Sequence, residues 1–251
     1  MKAATAAEPS DLEVNRRFYD SLWAQTRLVE PERFNTWPLA QELAARAERR
    51  LEIAPGLRPR LPIEGTHFVD ISESALSRLR GRAASATLQS VTALPFGDAE
   101  FDLVCAFDIV EHVDDEAGTF HELGRVCAPG GALLLSVPLH ASQWTAFDDL
   151  VGHRRRYEPD RLLQILAEHG FKVESSAVHG MQPRSSWLLD IAMWGLEHRR
   201  DRAMWLYNRI LMPLGIFFQK KLSLQPGMIE TANVDTVLLV CRRQPGAASP
   251  R

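Results

Sequence analysis

The stretch Leu51–Asp70, LEIAPGLRPRLPIEGTHFVD, sets Glu52 just before an Ala54-Pro55-Gly56 turn and closes on a second carboxylate, Asp70. An apolar run, a glycine turn and another apolar run ending in an acidic residue follow one another as in a nucleotide-binding βαβ unit. There the turn admits a ligand close to the backbone and the carboxylate accepts hydrogen bonds from ribose hydroxyls. A second group of reactive side chains lies downstream: His140 in SVPLHASQW, then Asp148, Asp149, His153 and Tyr157 in AFDDLVGHRRRY. An imidazole can take or orient a proton near neutral pH. The three consecutive arginines could receive a phosphate or carboxylate, or form a solvated face.

The elements that must position these residues are legible from periodicity and punctuation. Short β-like runs at Leu51–Ala54, His67–Asp70, Thr87–Ser90, Phe101–Phe107, Gly131–Pro138, Phe171–Val178 and Val234–Arg242 alternate with helical stretches, which predicts a parallel, doubly wound α/β sheet. SESALSRLRGRA is a helix capped by Ser72, DEAGTFHELGRVC a helix before the APGG turn, and EPDRLLQILAEHG a helix ended by Gly170. Upstream, an amphipathic helix is expected from Leu12 to about Val29 behind an Asp11 cap, and another after NTWP with Pro38 in its first turn. The βαβ order fails at one place. Between Glu52 and Asp70 there is less chain than strand, turn, three-turn helix and strand usually take, and Pro59 and Pro62 exclude a regular helix interior. A loop is expected there, with Arg58 and Arg60 either facing solvent or supplying a cation to a ligand's carboxylate.

A net charge of −3 and 45% hydrophobic residues describe an ordinary globular chain and give no reason to expect nucleic acid. Cys105, Cys127 and Cys241 are far apart, without the spacing of metal ligands, and read as buried reduced thiols; no metal site is expected. The N-terminus has no signal-like apolar run, and no apolar stretch approaches the roughly 18 residues of a membrane span, so a cytoplasmic protein is expected.

The segment ALPFGDAEFDLVCAFDIVEHVDDEAGTFHELGRVCAPGGALLLSVP carries LPF-x-D-x-x-FD, EH and R-V-x-x-PGG elements together and in order. In these it resembles the class I S-adenosylmethionine (SAM)-dependent methyltransferases, in particular the methyltransferase type 11 or UbiE-like small-molecule group. The resemblance implies a Rossmann-like, mostly parallel seven-stranded sheet with N-terminal helices and a helical insertion before the last strand. It further implies SAM as cofactor across the carboxyl ends of the first strands, a small-molecule acceptor, and N-terminal helices bearing Tyr19 and Trp23 folded over the cofactor. Glu52, Ala54 and Gly56 match an E-x-G-x-G turn with alanine in place of the first glycine. Asp70, followed by Ile71, matches the ribose-binding acid. Ser90 stands where the family often has an aspartate for adenine, leaving Val91 backbone groups to assist, and Asp108 falls beneath the cofactor's methionine part. The block G-H-x-R-R-Y resembles a segment of a bacterial subset of the family placed over the cofactor mouth. This makes His153, His140 and Tyr157 candidates for base or substrate orientation, whereas His112 in the EH element reads as structural.

The organisation expected is a disordered 1–10, a helical cap 11–50, a core 51–178, an insertion 179–233, the core's last strand 234–243 and a loose tail 244–251. The insertion, with Trp187, Met193, Trp194, Met204, Trp205, Phe217 and Phe218, is read as core or dimer packing, as a hydrophobic lid for a lipid-like acceptor, or as a peripheral membrane contact. Two other functions stay open: a noncatalytic binding or interaction subunit on the same fold, and an NAD(P)-dependent oxidoreductase, against which the missing glycine spacing speaks.

Overall fold

In the computed structural model, residues 27–180, 209 and 212–246 are described. Eight strands form one sheet: β1 (Arg50–Ile53), β2 (Thr66–Asp70), β3 (Ser85–Leu88), β4 (Phe101–Phe107), β5 (Cys127–Pro138), β6 (Phe171–His179), β7 (Gln225–Pro226) and β8 (Thr236–Arg243). Their order is β3-β2-β1-β4-β5-β8-β6-β7. Strands β3, β2, β1, β4 and β5 pair in parallel, and β8 runs antiparallel between β5 and β6. The Rossmann-like α/β architecture is as expected. The count is not: an eighth strand, the two-residue β7, pairs with β6 at Ser175 and Ser176. It comes from within the stretch read as a helical insertion, and a proline-containing pair at a sheet edge carries no alternating pattern to reveal it.

The helices are α1 (Trp37–Ala44), α2 (Glu73–Arg80), α3 (Glu116–Val126), α4 (Ala146–Val151), α5 (Pro159–Glu168) and α6 (Met212–Phe217). Local sequence accounts for most of their starts. The Ser72 hydroxyl accepts from the Ala75 amide, the Asp115 carboxylate from the Gly118 amide, and Pro159 opens α5. One sheet face (Leu51, Ile53, Val104, Leu133, Leu135) packs against Phe120 and Leu123 of α3 and Leu162 and Ile165 of α5. The opposite face (Leu103, Cys105, Leu134, Leu238) packs against Ala40 and Ala44 of α1 and against Leu61.

No helix joins β1 to β2. The crossover 54–65 is loop, as its prolines require. Its Leu57 and Leu61 are fully buried, Leu57 against Ala75 of α2 and Leu61 in the α1 face. Burying each such side chain contributes about 1.5–3 kcal/mol, so these two leucines anchor the loop to the core where a helix would have packed. All three cysteines are free and buried. Among the described residues no helix is long and apolar enough to cross a membrane. The expected first helix as far as position 26, with Tyr19 and Trp23, the insertion's Trp187, Met193, Trp194, Met204 and Trp205, and the end of the tail lie outside the described residues; 27–29, expected as that helix's last turn, are not helical. Phe217 and Phe218, at the end of α6, are exposed.

Candidate active site at the carboxyl edge of the sheet

On β1 the side chains of Leu51 and Ile53 face α3 and α5, so Glu52 between them faces α1 and the proline loop. Its buried carboxylate accepts from the backbone N–H of Arg60 (2.8 and 3.0 Å) and of Leu61 (2.8 Å). Glu52 thereby satisfies loop donors that a helix would have paired internally. Burial pushes the Glu52 carboxyl up to about 7, against those two backbone hydrogen bonds and the nearby Arg60 charge. The Arg60 guanidinium lies over the Phe34 ring, 3.8 Å from its centroid, and 5.4 Å from that of Phe107 at the end of β4. Burial draws its pKa down, while Asp108 and Glu52 oppose the shift. The Phe107 ring also meets His179, with ring centroids 5.3 Å apart; burial lowers the His179 pKa to about 4 and keeps it neutral. Arg60 is therefore packed beside the site's carboxylates rather than solvent-facing.

Among the described residues, three of the five positive-φ residues other than glycine lie on the same edge. Ala54 (φ 52°), Asp108 (φ 50°) and His140 (φ 60°), each just past the end of β1, β4 or β5, occupy the left-handed region that side chains disfavour, and Gly56 (φ 52°) shares it without penalty. Asp70, at the end of β2, spans the turn: one oxygen accepts from the Gly56 amide at 2.9 Å and the other from the Ser72 amide at 2.8 Å. Asp108 is exposed and pinned by Ser136 of β5, whose hydroxyl donates to its carboxylate at 2.7 Å. Ile71 follows Asp70 at half burial, and the Ser90 hydroxyl is engaged with that of Thr92 at 2.9 Å. Val91 is buried in the core facing α3, so only its backbone could meet a ligand.

The block from His140 to Tyr157 closes against β4 and β5. Thr145 and Asp148 form a capping box at the start of α4, and Gly152, left-handed at φ 77°, ends it and turns the chain back. The His153 Nδ1 then lies 2.7 Å from the Asp148 carboxylate. Asp148 also accepts from Arg156 at 2.8 and 3.0 Å and from the Thr145 amide and hydroxyl at 2.7 and 2.8 Å. These bonds outweigh its burial and hold it ionised, with a pKa lowered to about 2. His153 therefore carries its proton on Nδ1 and turns Nε2 towards Glu111 Oε1, 4.0 Å away. Its ring is edge-on to that of His112, centroids 4.6 Å apart. Glu111 and His112 sit in the single turn Val110–His112 after Asp108, and the Arg154 amide donates to the Glu111 carbonyl at 2.7 Å.

The three arginines are spent on structure. Arg154 pairs with Asp114, Arg155 donates to the Val113 and Asp114 carbonyls, and Arg156 bridges Asp148 and Asp235. The other two sequence candidates stand apart from His153. Tyr157 is buried in the core, its ring edge-on to Phe120 and its hydroxyl 3.5 Å from the Val110 carbonyl. His140 Nε2 is bonded to the Thr231 carbonyl at 2.7 Å. Sequence reasoning missed Glu111 and His179, and it set His112 aside. The one available sign was a charged pair inside the otherwise apolar run DIVEHV. Two open surface depressions, one around Leu163, Phe171 and Met228 and one around Arg50, His67 and Phe101, lie at the opposite, amino-terminal edge, where open α/β sheets do not hold their ligands.

Residues 57–135 match the methyltransferase domain family. A probable S-adenosylmethionine-dependent methyltransferase of Mycolicibacterium smegmatis is 30% identical over 112 residues, which are 43% of this chain and 44% of that protein. The match thus takes in less than half of the relative. Tocopherol O-methyltransferase of Arabidopsis thaliana is 39% identical over 67 residues, 26% of this chain and 19% of that one. Among solved structures, the [4+2]-cyclase SpnF superposes with a TM-score of 0.60 at 16% identity, covering 97% of this chain and 99% of that one, a likeness of fold alone. The family match thus runs from the β1–β2 loop to β5, and over that part the chain is similar to S-adenosylmethionine-dependent methyltransferases.

Proposed function

We propose that this domain binds SAM along the carboxyl edge of β2, β1 and β4 and transfers its methyl group to a small, hydrophobic acceptor, with S-adenosylhomocysteine as product. The observation that carries the reading is the convergence on three adjacent strands of Asp70, the Gly56 turn and the exposed Asp108, two of them held by positive-φ backbone. In this reading Asp70 faces the ribose, and the lone pairs left on its oxygens accept from the hydroxyls. Ser90 and the Val91 backbone flank the adenine, with Ile71 beside it. Asp108 lies at the methionine end, and Arg60, fixed between Phe34 and Phe107, faces the amino-acid carboxylate. Glu52 and Ala54 act through the loop: Glu52 anchors the Arg60 and Leu61 amides, and Ala54 sets the turn. When bound, SAM supplies a methyl group on a sulfonium, whose transfer needs an aligned nucleophile about 3 Å away and little water. His153, held by Asp148 beneath the end of β4, is the residue assigned to orient the acceptor. The acceptor class rests on the apolar insertion of the sequence and on the likeness to the tocopherol enzyme.

A noncatalytic subunit on this fold draws on two observations: alanine at position 54, and an Asp70 already holding Gly56 and Ser72. Isothermal titration separates the readings. SAM and S-adenosylhomocysteine are expected to bind one site and NADH none. Absence of SAM binding overturns the proposal, and binding without methyl release to any quinol, phenol or polyketide acceptor points to the subunit.

A further inference from the structure

We infer that Glu111, His112 and His153 form a binding site for a divalent transition-metal ion of the zinc class, beneath the carboxyl edge of β4. One ligand atom from each lies within 4.8 Å of the others. Glu111 is only 1% exposed, and among the described residues neither of its buried carboxylate oxygens has a hydrogen-bond partner beyond the residue's own backbone. Leaving such a carboxylate unsatisfied costs several kcal/mol, so something must answer it.

The polarity of the neighbours shows what. His153 donates its Nδ1 proton to Asp148, so its Nε2, the atom turned to Glu111, is an acceptor. One ring nitrogen of His112 bonds the Gly152 carbonyl, which makes it the donor and the nitrogen offered to the cluster an acceptor as well. Three acceptors thus converge with no donor among them. A proton on Glu111 could answer one imidazole only, and only if the carboxyl moved in from its 4.0 Å from His153 Nε2. A cation accepts electron pairs from all three.

Two imidazoles and a carboxylate are the donor set of transition metals rather than of calcium or magnesium. Both imidazoles are also oriented from behind, His153 by the Asp148 carboxylate and His112 by a backbone carbonyl, as metal-bound histidines are. Donor atoms around a tetrahedral ion with bonds of about 2.0–2.1 Å lie about 3.4 Å apart. Side-chain rotations that close the 4.8 Å spread by up to about 1.4 Å therefore seat the ion. Three protein ligands leave a tetrahedral ion one position for water or an acceptor oxygen.

The inference stands apart from SAM binding and is tested without it. The full chain, stripped with a chelator, is titrated with Co²⁺ while its visible spectrum is recorded, then with Zn²⁺ in competition. One equivalent of Co²⁺ with the intense absorption of a tetrahedral site, displaced by Zn²⁺, is expected. Glu111→Gln and His112→Gln, checked for folding by circular dichroism, should each weaken binding at least tenfold. Failure of the wild-type chain to bind a stoichiometric ion at micromolar concentration overturns the inference, whatever the variants do. So does binding equally tight in both folded variants, which would place the ion on surface histidines.

Discussion

Asp148→Asn tests whether the loop carrying His153 is held by charge or by packing. The Asp148 carboxylate is fully buried and accepts five hydrogen bonds, two of them from the equally buried Arg156. Removing one member of such a pair costs about 3–5 kcal/mol. Arg156 keeps Asp235 as a second partner at 2.8 Å, and asparagine keeps one acceptor oxygen, so a loss near the lower end, about 3 kcal/mol, is expected. For a chain of this size that is a fall of about 10 °C in Tm. The pH dependence has a fixed sign. The Asp148 pKa is lowered from 3.8 to about 2 in the folded protein, so its contribution is complete above pH 4 and is lost as pH falls towards 2. The shift corresponds to about 2 kcal/mol, which the variant should lack. Urea denaturation followed by circular dichroism at pH 7 and across the acid range measures both effects. Arg156→Met should cost a comparable amount, and the double variant less than the two together. A loss below about 1 kcal/mol for Asp148→Asn, or additive losses in the double variant, would refute the charge-held loop.

Two further outcomes bear on the loop between β1 and β2. Asp70→Ala should weaken SAM binding by an order of magnitude or more in calorimetry, because it removes the ribose acceptor and frees the Gly56 amide, whereas Arg58→Ala should change it little; equal losses would bring Arg58 into contact with the cofactor. Glu52→Gln replaces one acceptor oxygen with a donor against the Arg60 and Leu61 amides and should destabilise the chain by about 1–3 kcal/mol. Hydrogen exchange would show faster opening at Arg60 and Leu61, and unchanged protection there would dismiss Glu52 as the loop's anchor.

The sheet was legible because buried parallel strands declare themselves as short apolar runs between turn signals, and because Pro59 and Pro62 forbid a helix whatever packs around them. The site was legible only where one local segment contains it. Asp70 and Gly56 are read from one βαβ-like stretch, and the fold joins them by a 2.9 Å hydrogen bond. The cluster beneath Asp108 has no such local mark, because Glu111 and His112 come from a single turn after β4 while His153 comes from the far side of β5, brought in by Gly152 and the Asp148–Arg156 pair. In one dimension GHRRRY is a charge run that could meet an anionic substrate. In three dimensions each arginine finds its counter-charge or carbonyl within the protein, and the histidine beside them is the group turned inward. Charge runs reveal their partners only after folding, since a guanidinium's attraction to solvent phosphate and to a buried carboxylate leave the same letters in the chain. The same limit separates Arg58 from Arg60. Both lie half-buried in the proline loop, near enough for their charges to repel, and the seat of Arg60 on the ring of Phe34, brought from before α1, is written nowhere in that loop.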